Sequence, residues 1–229
     1  MIEDVPPQPA RGRGRLYGTL AFLGVLLLCV GAAMWFVLGG SLGDKPDPEL
    51  FPQSYKPTVP VAESGVEYVL PVSDGQDLCR YVDPERVDAV LDVVDEPSGD
   101  VIGGEGFGHA TCTLTLEHDG GESPGDSYGR FDVRVIVEPG AEDAARTREL
   151  AAEAFTSTDY EPVEVSGLTE EAVGFAKRRD DGVDAAIVAR NGNMVVQAGF
   201  NITSDENVPE EVLLNVSIDT INDVMSQLA

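Results

Sequence analysis

The chain is poor in basic residues. Its 229 residues include 15 lysines and arginines against 41 aspartates and glutamates, which gives a formal net charge of -26 at pH 7. A nucleic-acid-binding protein needs basic side chains to displace the counterions that surround the phosphate backbone. We therefore predict no nucleic-acid partner. The simplest interpretation of the excess acid is a solvated, self-repelling surface, and attraction of cations is the alternative.

Long apolar runs are also scarce, and only one is long enough to cross a membrane. From Leu16 to Leu38 the sequence contains no charged residue. A bilayer core requires about 20 apolar helical residues, because the backbone must satisfy its own hydrogen bonds there. We therefore predict one N-terminal transmembrane helix at residues 16–40, which contacts the lipid bilayer.

Charges around this run predict its orientation. Arginines stand before it at positions 11, 13 and 15, and Asp44 is the first charged residue after it. The positive-inside rule then places residues 1–15 in the cytoplasm and the C-terminal domain outside the cell. The protein is thus predicted to be a single-pass protein of the cell membrane. Cleavage within residues 39–44, as in a secretory signal peptide, is the alternative.

Regular secondary structure is not expected directly after the predicted span. Prolines stand at positions 46, 48, 52, 57 and 60. Each proline fixes φ and removes a backbone donor, so we predict an extended, Pro-rich extracytoplasmic linker at residues 41–62. The extracytoplasmic α+β domain is then predicted at residues 63–229.

Cysteine is nearly absent. Of three cysteines in the chain, only Cys79 and Cys112 lie in the predicted outer domain. Disulfides persist outside the cell, so we predict a Cys79–Cys112 disulfide that closes a loop of about 33 residues. A zinc site is the alternative, but only His109 and His118 could join these cysteines, and the sequence has no CxxC or HxxxH spacing. We predict no metal and no other cofactor.

Hydrophobic periodicity predicts a helix, strands, a helix, strands and a final helix. Asp83 followed by Pro84 is typical of a helix start. Asn191-Gly192 between two apolar strands indicates a hairpin. The other predicted elements are strands at 112–116, 128–138, 163–165, 172–178, 184–190 and 194–201, and helices at 141–154 and 209–228. This order predicts an α+β fold in which a mixed or antiparallel sheet is packed with helices.

Several of these stretches carry a family resemblance. The residues DLC at Asp77–Cys79, DPERV at Asp83–Val87 and a second cysteine that opens a strand resemble an actinobacterial cell-envelope, lipoprotein-like family known only as domain of unknown function 3558. The stretches Glu164–Phe175 and Val188–Phe200 are similar to the second half of that family. Its members are mostly lipoproteins, whereas this chain has no lipidation signal. The resemblance implies an extracytoplasmic α/β domain and brings no known activity.

No catalytic arrangement is recognisable in the sequence. Residues 39–43 fit the G-x-S-x-G pattern of serine hydrolases, but they stand between the predicted span and linker, where no strand and helix would hold the serine. Residues 104–108 lack the spacing and the lysine of a phosphate-binding loop. The acidic clusters at 117–126 and 180–184 do not match a calcium-binding loop. We predict no catalytic residue.

The expected function is therefore a non-catalytic binding or interaction module of the cell envelope. It would be anchored in the membrane and contact an unknown envelope protein or other envelope component. A carboxylate-dependent envelope hydrolase is one alternative, because paired acids can act as general acid and base without a sequence motif. An accessory subunit of a membrane complex is the other.

Overall fold

The described part of the chain is its C-terminal region. The computed structural model describes residues 51–70, 77–104, 107–118, 127–169 and 171–229. The predicted cytoplasmic N-terminus, the transmembrane helix and residues 41–50 of the linker lie outside these ranges. Within them, no helix has both the length and the apolar character needed to cross a bilayer.

One antiparallel sheet organises the fold. Its strands are β1 (Asp92–Val93), β2 (Val101–Gly104), β3 (Phe107–Glu117), β4 (Tyr128–Val137), β5 (Glu161–Val163), β6 (Glu171–Arg179), β7 (Gly182–Asn191) and β8 (Met194–Thr203). They lie in the order β1-β3-β4-β8-β7-β6-β5, and β2 pairs with β3. The predicted α+β class is confirmed, and of the two predicted sheet types the antiparallel one is observed.

In the described residues three α-helices lie beside the sheet: α1 (Pro84–Val87), α2 (Ala141–Thr156) and α3 (Glu210–Leu228). The predicted start of α1 is confirmed, because the Asp83 carboxylate accepts a hydrogen bond from the Glu85 amide at 3.1 Å. This helix is a single turn. The apolar residues Val87, Val90 and Leu91 that follow its start are all buried.

The two faces of the sheet are covered unequally. The inner face carries Leu114, Phe131 and Val196 and packs against α3 in the main core. The buried stripe of α3 consists of Val212, Leu213, Val216, Ile221, Val224 and Met225. The outer face is covered by α2 over β7 and β8, where Ala144 packs with Phe175. This helix leaves most of the outer side of β3 and β4 uncovered.

The β7–β8 hairpin forms where the Asn-Gly pair predicts it. Asn191 pairs with Met194, so Gly192 and Asn193 are the two central residues of the turn. Gly192 has φ +55°, which a glycine adopts without steric cost. The predicted strand at 163–165 is instead β5 at 161–163, because its ladder to β6 ends at the pair Val163–Gly174.

Residues 51–70 correct the predicted linker, and we call them the strap. The sequence predicts an extended spacer outside the domain at residues 41–62, yet Phe51 and Ala62 are buried in the main core. The folded unit therefore begins well before residue 63. Proline does exclude a helix here, but an extended chain can still be held by side chains from elsewhere in the fold.

Polar side chains of α3 and of the hairpin hold the strap. Asp219, buried on α3, accepts hydrogen bonds from the Tyr55 hydroxyl, the Thr58 amide and hydroxyl, and the Val59 amide at 2.9–3.1 Å. Asn193 accepts from the Tyr68 amide at 2.7 Å and donates to its carbonyl at 3.0 Å. Buried side chains thus fix both ends of the strap. In return, the strap supplies the hydrogen-bond partners that these buried groups need.

We expect Tyr55→Phe to remove part of the loss of stability at alkaline pH. Burial, together with the hydrogen bond to Asp219 and its negative charge, raises the pKa of Tyr55 from 10.0 to about 12. Because the folded state disfavours the tyrosinate, this stabilisation is complete below pH 10 and is lost as the pH rises from 10 to 12.

Urea unfolding of the wild type and Tyr55→Phe measures this effect across that pH range. The wild type should be more stable below pH 10, and the difference should shrink above it. Burial also raises the pKa of Tyr68 and Tyr160, but both proteins contain them, so their contributions cancel. A difference that stays constant with pH would contradict the prediction.

Candidate functional site: a groove on the outer sheet face

The part of the outer face that α2 leaves open contains a groove with a volume of about 460 Å³. We call it the outer groove. It is lined by residues of β3, β4, β8 and β7 and by the C-terminal end of α2 with the loop that follows. Its volume lies within the range of about 300–1,000 Å³ that is usual for small-molecule sites.

Strand register builds a low floor for the outer groove. Asp132 on β4 lies opposite Gly199 on β8, and Gly199 lies opposite Ala186 on β7. A Cβ atom at Gly199 would stand 2.7 Å from the Ala185 carbonyl oxygen and 2.8 Å from the Ala186 Cβ, so a larger residue does not fit there. Two small residues side by side therefore let a ligand approach the sheet backbone.

Aromatic residues form one wall of the outer groove. Phe155, near the end of α2, stacks on Phe175 with ring centroids 4.9 Å apart and meets Tyr160 edge to face at 5.2 Å. Phe175 is buried beneath, whereas Phe155 and Tyr160 are only half-buried and line the groove. Asp159, with φ +65°, lies in the turn between them.

A buried carboxylate stands behind this wall. Asp184 is 7% exposed and accepts hydrogen bonds from the Tyr160 hydroxyl at 3.1 Å, from Arg179 at 2.7 Å and from Asn201 at 2.7 Å. Burial, followed by the charge and hydrogen bond of Asp184, raises the pKa of Tyr160. Asp184 thus fixes Tyr160 and Asn201. Since the Asn201 amide nitrogen is used in this bond, its carbonyl oxygen remains as an acceptor for a ligand.

A second carboxylate lies on the opposite side of the floor. The Asp132 carboxylate accepts a hydrogen bond from the Thr113 hydroxyl at 2.7 Å and forms an ion pair with Arg130 at 2.8 Å. Both carboxylates of the site are therefore bonded to arginine. A carboxyl group that serves as a general acid is instead usually kept away from cations.

Two polar side chains at one end of the outer groove have no bonding partner among the described residues. Arg134 on β4 and Gln197 on β8 lie opposite each other in the sheet. Over the described ranges Arg134 has no carboxylate within ion-pair distance, whereas Arg130 and Arg179 each have at least one. Their guanidinium and amide groups are thus available to a ligand.

The predicted site residues lie elsewhere. Cys79, in the 3₁₀ turn at Leu78–Tyr81, and Cys112, on the inner side of β3, are joined by a disulfide with their Cα atoms 5.0 Å apart. It suggests an extracytoplasmic domain. His109 lies within β3 and His118 directly after it. The described ranges contain no cluster of three side chains able to hold a metal.

Sequence reasoning missed the outer groove. Its charged side chains occupy alternate positions of a strand that the sequence predicts, namely Arg130, Asp132 and Arg134 on β4. One pattern in the sequence could have indicated the groove. It is a strand with charged or planar outward side chains, beside a strand that has glycine at the position opposite them. Comparisons of the chain with protein-family models, curated proteins and solved structures find no match.

Proposed function

We propose that the protein is a membrane-anchored extracytoplasmic binding module that holds a polar component of the cell envelope in the outer groove. The observation that carries this proposal is the groove itself, with its small-residue floor, its half-exposed aromatic wall and polar groups that have no partner among the described residues. Such a combination of apolar surface and a few placed polar groups is typical of ligand sites. The module binds its ligand without catalysing a reaction.

The arrangement of the polar groups supports binding. Asp184 fixes Tyr160 and Asn201 before any ligand arrives, and Thr113 fixes Asp132. Side chains already held in place lose little conformational entropy on binding, which favours affinity. The hydrolase alternative has less support, because Asp132 and Asp184 are each bonded to arginine and neither is left as an unpaired proton donor.

The disulfide and the N-terminal sequence together support the proposed location. The Cys79–Cys112 bond fits an oxidising compartment outside the cytoplasm. In our proposal residues 16–40 hold the protein in the membrane as a single transmembrane helix, with the N-terminus cytoplasmic. We also propose that the protein is related to the envelope family of unknown function. The residues around Cys79 and Cys112 support this relationship.

Filling the outer groove should weaken binding. Gln197→Trp places a large side chain above the floor at a half-buried position, and we expect binding to the insoluble envelope fraction of the source cells to weaken at least about tenfold. Full-length protein in mild detergent would be mixed with this fraction and sedimented. Glu149→Trp, at an exposed position on α2, is the matched control and should sediment like the wild type.

Two results would count against the proposal. One is a wild-type protein that stays in the supernatant at every amount of envelope material. The other is equal sedimentation of the two tryptophan variants, which would place the binding surface outside the outer groove.

A further inference from the structure

We propose that the ligand of the outer groove is a saccharide that carries a carboxylate, of the uronic-acid type. This inference rests on the proposed function and specifies its ligand. Three features of the groove carry it: the shape of its aromatic wall, its balance of hydrogen-bond donors and acceptors, and one cation at its end.

The aromatic wall fits the apolar side of a sugar ring. A pyranose has C–H groups on its faces and hydroxyls around its edge. Phe155 and Tyr160 offer half-exposed ring surface, and the stack on Phe175 prevents the Phe155 ring from turning away. The ring can rest on the Gly199–Ala186 floor against this wall, with its edge directed toward the polar residues of β4 and β8.

The polar residues match sugar hydroxyls, which both donate and accept hydrogen bonds. Asp132 is an acceptor with lone pairs beyond those used by Thr113 and Arg130. The Asn201 carbonyl oxygen is a second acceptor, because its amide nitrogen is bonded to Asp184. The Gln197 amide offers both a donor and an acceptor. A purely apolar ligand would leave these groups desolvated without partners, at an energetic cost.

Arg134 supplies the charge that selects a carboxylate. Arg130 is neutralised by Asp132, and Arg179 by Asp184 and Asp181, whereas Arg134 has no such partner among the described residues. A guanidinium can bind a carboxylate through two parallel hydrogen bonds, which adds geometric selectivity to charge. The groove therefore carries a net positive charge at the Arg134 end.

The charge of the whole chain limits how acidic the ligand can be. With a net charge of -26, the protein repels a dense polyanion. Salt screens exposed charges beyond about 8 Å at physiological ionic strength, so an isolated carboxylate in the groove responds mainly to Arg134. The fitting ligand is a largely neutral saccharide with single carboxylates, and a densely phosphorylated polymer does not fit.

The test uses two disaccharides that differ by one group. Cellobiouronic acid has a carboxylate where cellobiose has a hydroxymethyl group. We expect the full-length protein in mild detergent to bind the acid about tenfold more tightly, as measured by calorimetry or ligand-observed NMR. Arg134→Gln should abolish this preference, so that the two disaccharides bind about equally. The affinity for cellobiose should stay nearly constant. Arg146→Gln, which removes an exposed arginine from α2, is the matched control and should keep the preference.

Each outcome separates this inference from the proposed function. Equal binding of the two disaccharides by the wild type overturns the selection of a carboxylate, and so does a preference that Arg134→Gln leaves unchanged. If neither disaccharide binds but envelope material still sediments in a Gln197-dependent manner, the saccharide inference is overturned and the proposed function stands. If the envelope material does not sediment either, both are overturned.

Discussion

Replacing Cys79 and Cys112 together by alanine is expected to lower the free energy of unfolding by about 3 to 4 kcal/mol. The two residues are 33 positions apart, and closing a loop of that length restricts the unfolded chain by about this amount in the chain-entropy model. Cys112 is fully buried on the inner side of β3, so the variant also loses packing there. Both effects act in the same direction.

The surroundings of the disulfide explain why its loss should not be compensated locally. The chain passes over it at Gly99, where a Cβ atom would approach the Cys79 sulfur to 3.3 Å. On the other side, α1 is a single turn with no helical stability of its own. The segment from Cys79 to β2 therefore depends on this covalent bond and on the burial of Val87, Val90 and Leu91.

Urea unfolding of the full-length protein, followed by far-UV circular dichroism, measures this effect. Cys29→Ala removes the third cysteine, leaves the Cys79–Cys112 bond intact and is the matched control. Reduction of the wild type should reproduce most of this loss, because it opens the same loop but keeps the packing of the Cys112 side chain. A shift of less than about 1 kcal/mol, or equal shifts in the double variant and Cys29→Ala, would contradict the prediction.

The parts of the fold that the sequence predicts are those with a local repeat. Phe131, Val133 and Val135 alternate with charged residues along β4, and this period identifies the strand without knowledge of its neighbours. The apolar stripe of α3 follows the same logic with a helical period. Glycine at position 192, next to two asparagines, indicates the hairpin because the turn needs a residue with positive φ.

The strap could not be predicted in this way. Many of its bonds join its backbone to side chains about 160 positions away, such as those of Asp219, Asn215 and Asn222. In the hydrophobic pattern of a helix, a polar residue on the buried side is only an interruption of the apolar stripe. The prolines agree with the absence of helix over residues 51–70, but they gave a wrong indication that this segment is separate from the domain.

The outer groove depends on register for a similar reason. Gly199 gains its role from lying between Asp132 and Ala186, and each of the three belongs to a different strand. A shift of one residue in either pairing would turn one member of this row to the inner face. No pattern within a single strand contains that information, so the site becomes visible only when all three strands are aligned.

Asp219→Asn is expected to destabilise the fold by about 3 kcal/mol and to release the strap. The carboxylate is fully buried and accepts bonds from four donors, three of them on Thr58 and Val59. The substitution keeps the shape of the side chain but replaces one carboxylate oxygen, an acceptor, with an amide NH2 group. This donor would face the donors of the strap. Loss of bonds to a charged group, together with the desolvated groups left behind, accounts for an effect of this size.

Hydrogen exchange locates the effect of Asp219→Asn. The amides of Thr58 and Val59 should exchange faster by more than the global loss of stability explains, because they lose their own acceptor. Glu211→Gln removes a carboxylate from the exposed side of the same helix and is the matched control, expected within about 0.5 kcal/mol of the wild type. If Asp219→Asn behaved like this control, Asp219 would not be what holds residues 55–59 to the domain, and the strap would depend instead on the burial of Phe51 and Ala62.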